Sequence, residues 1–399
     1  MAEIAILMNK NRPVLEIQIE KNVILSTGKV KEEKLLPIPL QSELQKKGKI
    51  SPKMATDWFR RRLIPDTREN IEQMRRLFRG FENERYFFSL SDQYWIRYSN
   101  RDTWNKYNFF TNIYNKEVGK ISFEYWNVDP GKFSAPSPDR TTNGALIKRW
   151  IQDDSKRSFL IKKGSLRYRQ EPLSEVMASM MLRKMNIIPY VEYSLYIDGL
   201  SFCSKCPNFV TEDTEFVPAI FVFNMEKREE GVSEYQHLIN VCEHKRIKGA
   251  REFLDHMILA DHILCNFDRH FGNFGFIRSA ETGVITGFAP LFDMGSAYWG
   301  TTEQVKPIEK RYFKEQEEIV VANAARNGIL KKCKADKSVL SILKQYPDIN
   351  DNKKTAIIEM IDLIDREIEE KGGPEKDGKQ GKSPLMDESR NVPGYDFSR

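Results

Sequence analysis

Apolar and polar residues alternate over 14–19 (V-L-E-I-Q-I), which predicts a short strand near the N-terminus. Ser51-Pro52 reads as a helix cap followed by proline at the first helical position. Trp58, Phe59 and Leu63 give that helix an apolar side ahead of Pro65. A further helix is predicted over 68–81. The segments 145–151, 158–162, 191–197 and 200–203 read as strands, with a helix over 172–185 between the second and third. Beyond Val217 the pattern turns mostly helical. Phe253, Leu254, Met257, Ile258 and Leu264 sit near helical spacing in 249–265, so one face of that helix is buried. Residues 274–277 and 284–288 flank Glu281-Thr-Gly283 and predict a hairpin. Ile357, Ile358, Ile361, Ile364 and Ile368 mark a final amphipathic helix.

Residues 84–126 carry many aromatics, among them Phe88, Trp95, Trp104, Phe109 and Tyr114. Interleaved Arg97, Arg101 and Lys106 raise base stacking on a single strand as one reading. A core joining this region to the next is the stronger one, because aromatic rings bury large areas. The turn-rich stretch 130–138 suggests a boundary. After Lys371 the chain shifts to Gly, Lys, Glu, Pro and Ser, which predicts a disordered tail. The expected division is 1–125 as an N-terminal unit, 126–210 as a β-rich lobe, 211–371 as a helical lobe and 372–399 as the tail.

With 399 residues and charged side chains at 30%, the chain has the composition of a soluble globular protein with a sizeable core. The net charge of +6 is mild for this length and suits a phosphate ligand; direct nucleic-acid binding is not expected from it. No apolar run reaches the roughly 20 residues of a membrane span, so no membrane contact is expected. The N-terminus lacks a basic region before its short apolar stretch, and five cysteines are an odd number; both favour a reducing cytoplasm. Cys203-Ser-Lys-Cys206 lacks a second such pair. His237 and His244 are the other candidates for completing a zinc site, but a structural role is the stronger reading.

The densest chemistry lies in 265–273 (C-N-F-D-R-H-F-G-N) and 291–297 (L-F-D-M-G-S-A). Asp268 stands five positions before Asn273, and Asp293 follows the predicted hairpin. In a phosphoryl-transfer site one carboxylate, here Asp268, orients or deprotonates the attacking hydroxyl. Asn273 supplies a neutral oxygen and Asp293 a charged one to Mg²⁺, which favours hard oxygen ligands. His270 either contacts the transferring phosphate or braces the loop. Upstream, Arg140-Thr-Thr-Asn-Gly144 has small and polar residues whose backbone can approach phosphate oxygens; Thr142, Asn143 and Gly144 are the candidates. Lys162, after the apolar triplet Phe159–Ile161, is the candidate grip on the ATP phosphates, with Lys163 as the alternative. Glu175 is its expected carboxylate partner, with Glu171 second. The segment around Phe209 falls between the two lobes, where a hinge would pair with adenine.

In this order, the motifs T-T-N-G-A-L-I-K, F-L-I-K, S-E-V-M-A-S-M-M-L, D-R-H-F-G-N and L-F-D-M-G-S-A resemble those of the HipA-like kinases, the toxin kinases of bacterial persistence modules. The resemblance covers roughly 140–370, and more loosely the first 125 residues. It implies an α+β, bilobal protein-kinase-like fold with a β-rich small lobe, a helical large lobe and an extra N-terminal α+β domain. It implies an ATP- and Mg²⁺-dependent Ser/Thr protein kinase acting on a protein substrate, a translation factor in characterised members, and restrained by a DNA-binding antitoxin. Family members phosphorylate a Ser in their own phosphate loop; Thr141 or Thr142 occupies that place here, a departure from Ser. The D-R-H-x-x-N loop also resembles phosphoinositide kinases, which leaves a lipid or small-molecule kinase as the alternative enzyme. A non-catalytic regulatory protein in an antitoxin or DNA complex is the alternative from another class.

Overall fold

The computed structural model describes residues 2–72, 74, 86–123, 137–298, 312–335 and 337–372. An antiparallel meander opens the chain: β1 (Glu3–Asn9), β2 (Arg12–Glu20) and β3 (Val23–Val30). The β2–β3 turn is Lys21-Asn22, both at positive φ (44° and 63°), the twist that two-residue hairpins favour. β4 (Tyr94–Arg97) pairs with β1 from far along the chain and completes the order β3-β2-β1-β4. Helices α1 (Ile38–Lys47) and α2 (Pro52–Arg60) follow the meander. Ser51 caps α2 by accepting a bond from Met54 N at 3.2 Å, a contact worth about 1 kcal/mol. The helix ends at Arg60, ahead of the expected stop at Pro65, so Leu63 lies beyond it.

The aromatic region is a core. Phe88, Trp95, Trp104, Phe109 and Tyr114 are buried together, with the Phe88 and Trp95 rings stacked at 5.2 Å. Buried against one another, these rings are not a surface for stacking bases. Two short helices belong to this region, α3 (Trp104–Tyr107) and α4 (Lys116–Phe123). Most of the helix expected over 68–81, most of the 130–138 boundary and nearly all of the 372–399 tail lie outside the described residues.

The next unit is a four-stranded antiparallel sheet of order β5-β6-β8-β7, made of β5 (Lys148–Gln152), β6 (Ser158–Lys163), β7 (Ser194–Asp198) and β8 (Ser201–Pro207). Helix α5 (Glu171–Met185) lies between β6 and β7 in the chain, as expected. Three strand bounds differ from the sequence reading. Residues 145–147 form a loop because Glu69 N binds Ala145 O at 2.9 Å. Val191 is spent on Leu291 O at 2.8 Å, so β7 starts only at Ser194. β8 continues to Pro207, since the stretch from Cys203 to Pro207 pairs with β6. Cys203 and Cys206 stand three apart on β8 and therefore face opposite sides. One packs with Phe123, Ile147 and Ile161, the other with Val176, Val191 and Tyr193. Burial pushes each thiol up to about 12, so the pair cannot act jointly as ligands.

The helical part comprises α6 (Ala219–Phe223), α7 (Glu234–His244), α8 (Ala250–Ile263), α9 (Lys314–Arg326), α10 (Lys337–Gln345) and α11 (Asp351–Gly372). Its core is continuous with the inner face of α5. The hairpin is present as β10 (Gly275–Ser279) and β11 (Ile285–Phe288), joined by β9 (Thr214–Pro218), which the sequence pattern did not reveal. Among the described residues no helix is long and apolar enough to cross a membrane. The architecture is α+β: a β-rich lobe, a helical lobe and an N-terminal α+β part.

Candidate functional site

The site lies where the β5-β6-β8-β7 sheet meets the helical part. Lys162 is on β6, and alternation along the strand sends its side chain inward while Lys163 points to the other face. Lys163 Nζ binds Phe123 O at 2.8 Å and sits over the Phe123 ring. Lys162 Nζ instead pairs with Glu175 Oε1 and, at 2.8 Å, with Asp293 Oδ1. Glu175 is one turn into α5, and its other oxygen accepts a bond from Ser204 Oγ on β8. Glu171, the second candidate, binds Ser165 N at 2.9 Å and takes no part in this pair. Burial alone would push Lys162 down, but the charges of Asp293 and Glu175 hold it well above its ordinary value.

Asp293 follows Leu291, whose backbone bridges to Tyr190 and Val191. Its backbone is left-handed, φ 60°, a conformation that costs a non-glycine residue about 1 kcal/mol or more. Tyr193 supports it, accepting a bond from Asp293 N at 3.2 Å. Burial opposes ionisation of Asp293, yet Lys162 and then Lys148 hold its carboxyl far below the usual range.

Asp268 sits on the loop after α8, exposed at the mouth. The surrounding protein raises its carboxyl, and the Asp293 charge adds to this while His270 and Arg269 oppose it. Asn273 is buried, with its Nδ2 donating to Asp268 O at 3.0 Å. That leaves the amide oxygen as the atom available to a cation. His270 Nδ1 accepts a bond from Gly272 N at 3.0 Å, which braces the turn. One ionised carboxylate and one amide oxygen are hard donors that fit Mg²⁺, which is usually held by one or two carboxylates plus substrate phosphates. Among the described residues no group of three or more His, Cys, Asp and Glu side chains is placed to hold a metal by itself.

The loop 141–144 is tied down from the N-terminal part. Arg68 Nε donates to Gly144 O at 2.6 Å and its Nη2 to Thr142 O. Gly144 has φ 102°, a conformation that favours glycine. Asn143 is exposed, its Oδ1 accepting from Gly144 N at 2.7 Å. Thr141 and Thr142 are buried. Thr141 Oγ1 donates to Phe88 O and Thr142 Oγ1 to Pro138 O, both at 2.7 Å, and Trp150 Nε1 donates to Thr142 Oγ1 at 2.8 Å. Phe209 is half-buried at the lobe junction and packs on Phe292, next to Asp293, with ring centroids 5.4 Å apart.

The structure brings Lys162, Glu175 and Asp293 into direct contact and joins Asp268 to Asn273. Sequence reasoning missed Arg269, Asp261, Tyr193, Ser204, Arg68 and Lys148. Arg269 was in view inside D-R-H-F-G-N. Asp261 on the apolar face of α8 was its matching signal, because a buried arginine needs a buried acid. Tyr193 and Arg68 carry no such mark. A separate cavity of about 360 Å³ lies between α1, α2 and α6, lined by Trp58, Arg61, Lys46 and Phe221 among others, away from these residues.

Together the side chains can hold a polyanion between a lysine and a cation, and can present a carboxylate to a hydroxyl. No family model matches the chain. A stretch of 106 residues, 25% of the chain, is 30% identical to the serine/threonine-protein kinase CtkA of Helicobacter pylori. The match spans 32% of that protein, about a third of its length. Among solved structures, the proinflammatory kinase CtkA of H. pylori is similar at 17% identity and TM-score 0.45, over 56% of this chain and 92% of its own. The Shewanella oneidensis HipA, solved with HipB and operator DNA, is similar at 10% identity and TM-score 0.49, over 92% and 97%. These are proteins of the class that the sequence motifs resemble.

Proposed function

We propose that the protein is an ATP- and Mg²⁺-dependent Ser/Thr protein kinase of the HipA type, transferring the γ-phosphate of ATP to a protein hydroxyl. The observation that carries this reading is Lys162 held between Glu175 and Asp293. Two acids around one lysine fix its ammonium at a point where phosphates can replace Asp293. Lys162 grips the phosphates and Glu175 keeps it in place. The loop with Thr142, Asn143 and Gly144 covers them, and the hinge around Phe209 receives adenine. Asn273 and Asp293 hold Mg²⁺, which supplies charge neutralisation when bound.

Asp268 receives the acceptor hydroxyl. Its raised carboxyl is a better proton acceptor than an ordinary aspartate, and its exposed position admits a protein chain. His270 shapes the turn that separates Asp268 from Asn273.

The motif resemblance extends the proposal to a cytoplasmic toxin that acts on translation, is restrained by a DNA-binding antitoxin and phosphorylates its own loop at Thr141 or Thr142. The domain division given above belongs to the same proposal. Phosphoamino-acid analysis of a cell lysate incubated with the protein and Mg-ATP tests the reaction class. New phosphoserine or phosphothreonine on protein supports the reading; label confined to lipids or small molecules counts against it.

A further inference from the structure

The cavity of about 360 Å³ between α1, α2 and α6 has a lining of two kinds. Met54, Trp58, Ile220 and Phe221 give it apolar walls, two of them aromatic. Lys46, Lys47 and Arg61 bring positive charge, and Glu43 and Asp57 bring negative charge. Glu43 is already spent, accepting bonds from Lys47 Nζ at 3.0 Å and from Ser51 N at 2.9 Å. Lys46 Nζ donates to Asn224 O at 2.9 Å, which ties α1 to the end of α6 and leaves the ammonium without an acid. Arg61 is exposed, with its guanidinium 6.0 Å from the Phe221 ring, and its side chain makes no hydrogen bond or ion pair among the described residues. Asp57, four residues before it, is exposed and makes none either. Trp58 is only 6% exposed, yet its indole N–H has no acceptor among the described residues, where a buried indole usually finds one. With the Glu43–Lys47 pair set aside, two cations stand against one acid, a surplus of one positive charge. That surplus suits a monoanion better than a dianionic phosphate. A guanidinium binds a carboxylate through two parallel hydrogen bonds, and aromatic walls take a flat ring. The volume is at the low end of the roughly 300–1,000 Å³ of ligand pockets, which limits the occupant to a small molecule.

We propose that this cavity is a binding site for a small aromatic carboxylate, its ring against Trp58 and Phe221 and its carboxylate accepting hydrogen bonds from Arg61, Lys46 and the Trp58 indole N–H. Asp57 weakens the site for any anion and excludes those of higher charge. The site is separate from Lys162, Asp268 and Asp293 and does not depend on the kinase reading.

The test is equilibrium binding of 3-phenylpropanoate and indole-3-acetate to the full chain, measured by ligand-observed NMR with and without saturating Mg-ATP. The matching amides, propanoate and inorganic phosphate are the comparison ligands. The proteins are wild type, Arg61→Gln, Trp58→Phe, which keeps a ring but loses the N–H, and Asp57→Asn. At least one aromatic carboxylate is expected to bind wild type with Kd below about 1 mM, at least 10-fold tighter than its amide, propanoate or phosphate, and with Mg-ATP leaving it in place. Arg61→Gln is expected to weaken it about 10-fold and Trp58→Phe about 3- to 10-fold, while Asp57→Asn tightens it about 3-fold. No binding of either carboxylate, or amides that bind as well as the acids, overturns the proposal. Wild-type affinity in Arg61→Gln, or displacement by Mg-ATP, also overturns it, since the ligand is then held elsewhere.

Discussion

Asp261, near the end of α8, grips Arg269 on the following loop through two bonds, 2.9 Å to Nε and 3.0 Å to Nη2, with both side chains buried. Arg269 then spends its remaining nitrogen on Asn273 O at 2.7 Å and Phe292 O at 2.9 Å. One guanidinium thus ties the Asp268–Asn273 loop to the Asp293 segment. Breaking a buried pair by removing one partner leaves an uncompensated charge and costs about 3–5 kcal/mol. Asp261→Asn is expected to lower stability by an amount in that range or somewhat below it, and to reduce kcat more than KM. Urea unfolding with steady-state kinetics checks both; wild-type kcat in a folded variant would remove Arg269 from the account.

Tyr193 acts on Asp293 through the backbone. Its hydroxyl accepts the Asp293 N–H at 3.2 Å, at a residue held left-handed. Tyr193→Phe leaves that donor without its partner, a loss of about 1–3 kcal/mol if the group stays dry. The expected result is a raised Mg²⁺ requirement for phosphoryl transfer with nearly unchanged ATP binding in the absence of metal. A magnesium titration of the initial rate measures it; an unchanged titration curve contradicts the role.

His262 on α8 lies between Glu317 of α9 and Glu367 of α11, at 2.6 and 3.2 Å. Burial lowers its basicity, but hydrogen bonds to the two acids outweigh this and raise it above the ordinary histidine value. Glu367 is held down to about 2, by the His262 hydrogen bond first and by Lys371 among the further causes. A raised folded value means that the contribution from His262 is fully present below about pH 6.5 and is lost as pH rises through the folded value. The contribution from Glu367 is present above about 4.5 and is lost toward 2. The cluster therefore stabilises most between those limits. His262→Gln should lower Tm clearly at pH 6 and much less at pH 9. Melting curves at the two values decide it, and an equal difference at both would rule out the charged cluster.

Thr141 and Thr142 turn their hydroxyls inward, so neither is an acceptor while the loop keeps this conformation. Phosphate on Thr142 would break its bonds to Pro138 and Trp150 and push the loop out. If self-silencing operates, activity falls during long incubation with Mg-ATP, a phosphate appears on one of the two threonines, and Trp150 emission changes. The double variant Thr141→Ala, Thr142→Ala should stay active. Peptide mapping that finds both residues unmodified after full inactivation removes this mechanism.

Much of this arrangement was legible in the chain. The Ser51 cap, the β6 strand ending in lysines, α5 and the β10–β11 hairpin follow from local pattern, because each is specified by residues near in sequence. Periodicity could not decide between Lys162 and Lys163; the pairing of β6 with β5 and β8 did, by fixing which face is inward. The same pairing placed Lys148 beside Lys162, a relation between strands that no single segment encodes. β9 was missed because its strand partner among the described residues is β10, some sixty residues later in the chain, and that contact specifies it. The start of β7 was misplaced because Val191 is claimed by Leu291, a hundred residues away. Arg68 reaches the loop from the N-terminal part, and its role depends on how the parts assemble.

The central claim is that Asp268, Asn273 and Asp293 form a working phosphoryl-transfer site on Lys162 and Glu175. The most direct measurement is transfer of labelled γ-phosphate from Mg-ATP to protein by wild type, beside Asp268→Ala and Asp293→Ala. The account predicts label with wild type only, and losses of roughly 10³-fold or more in both variants with the fold intact by circular dichroism. Near-wild-type labelling by either variant would contradict it.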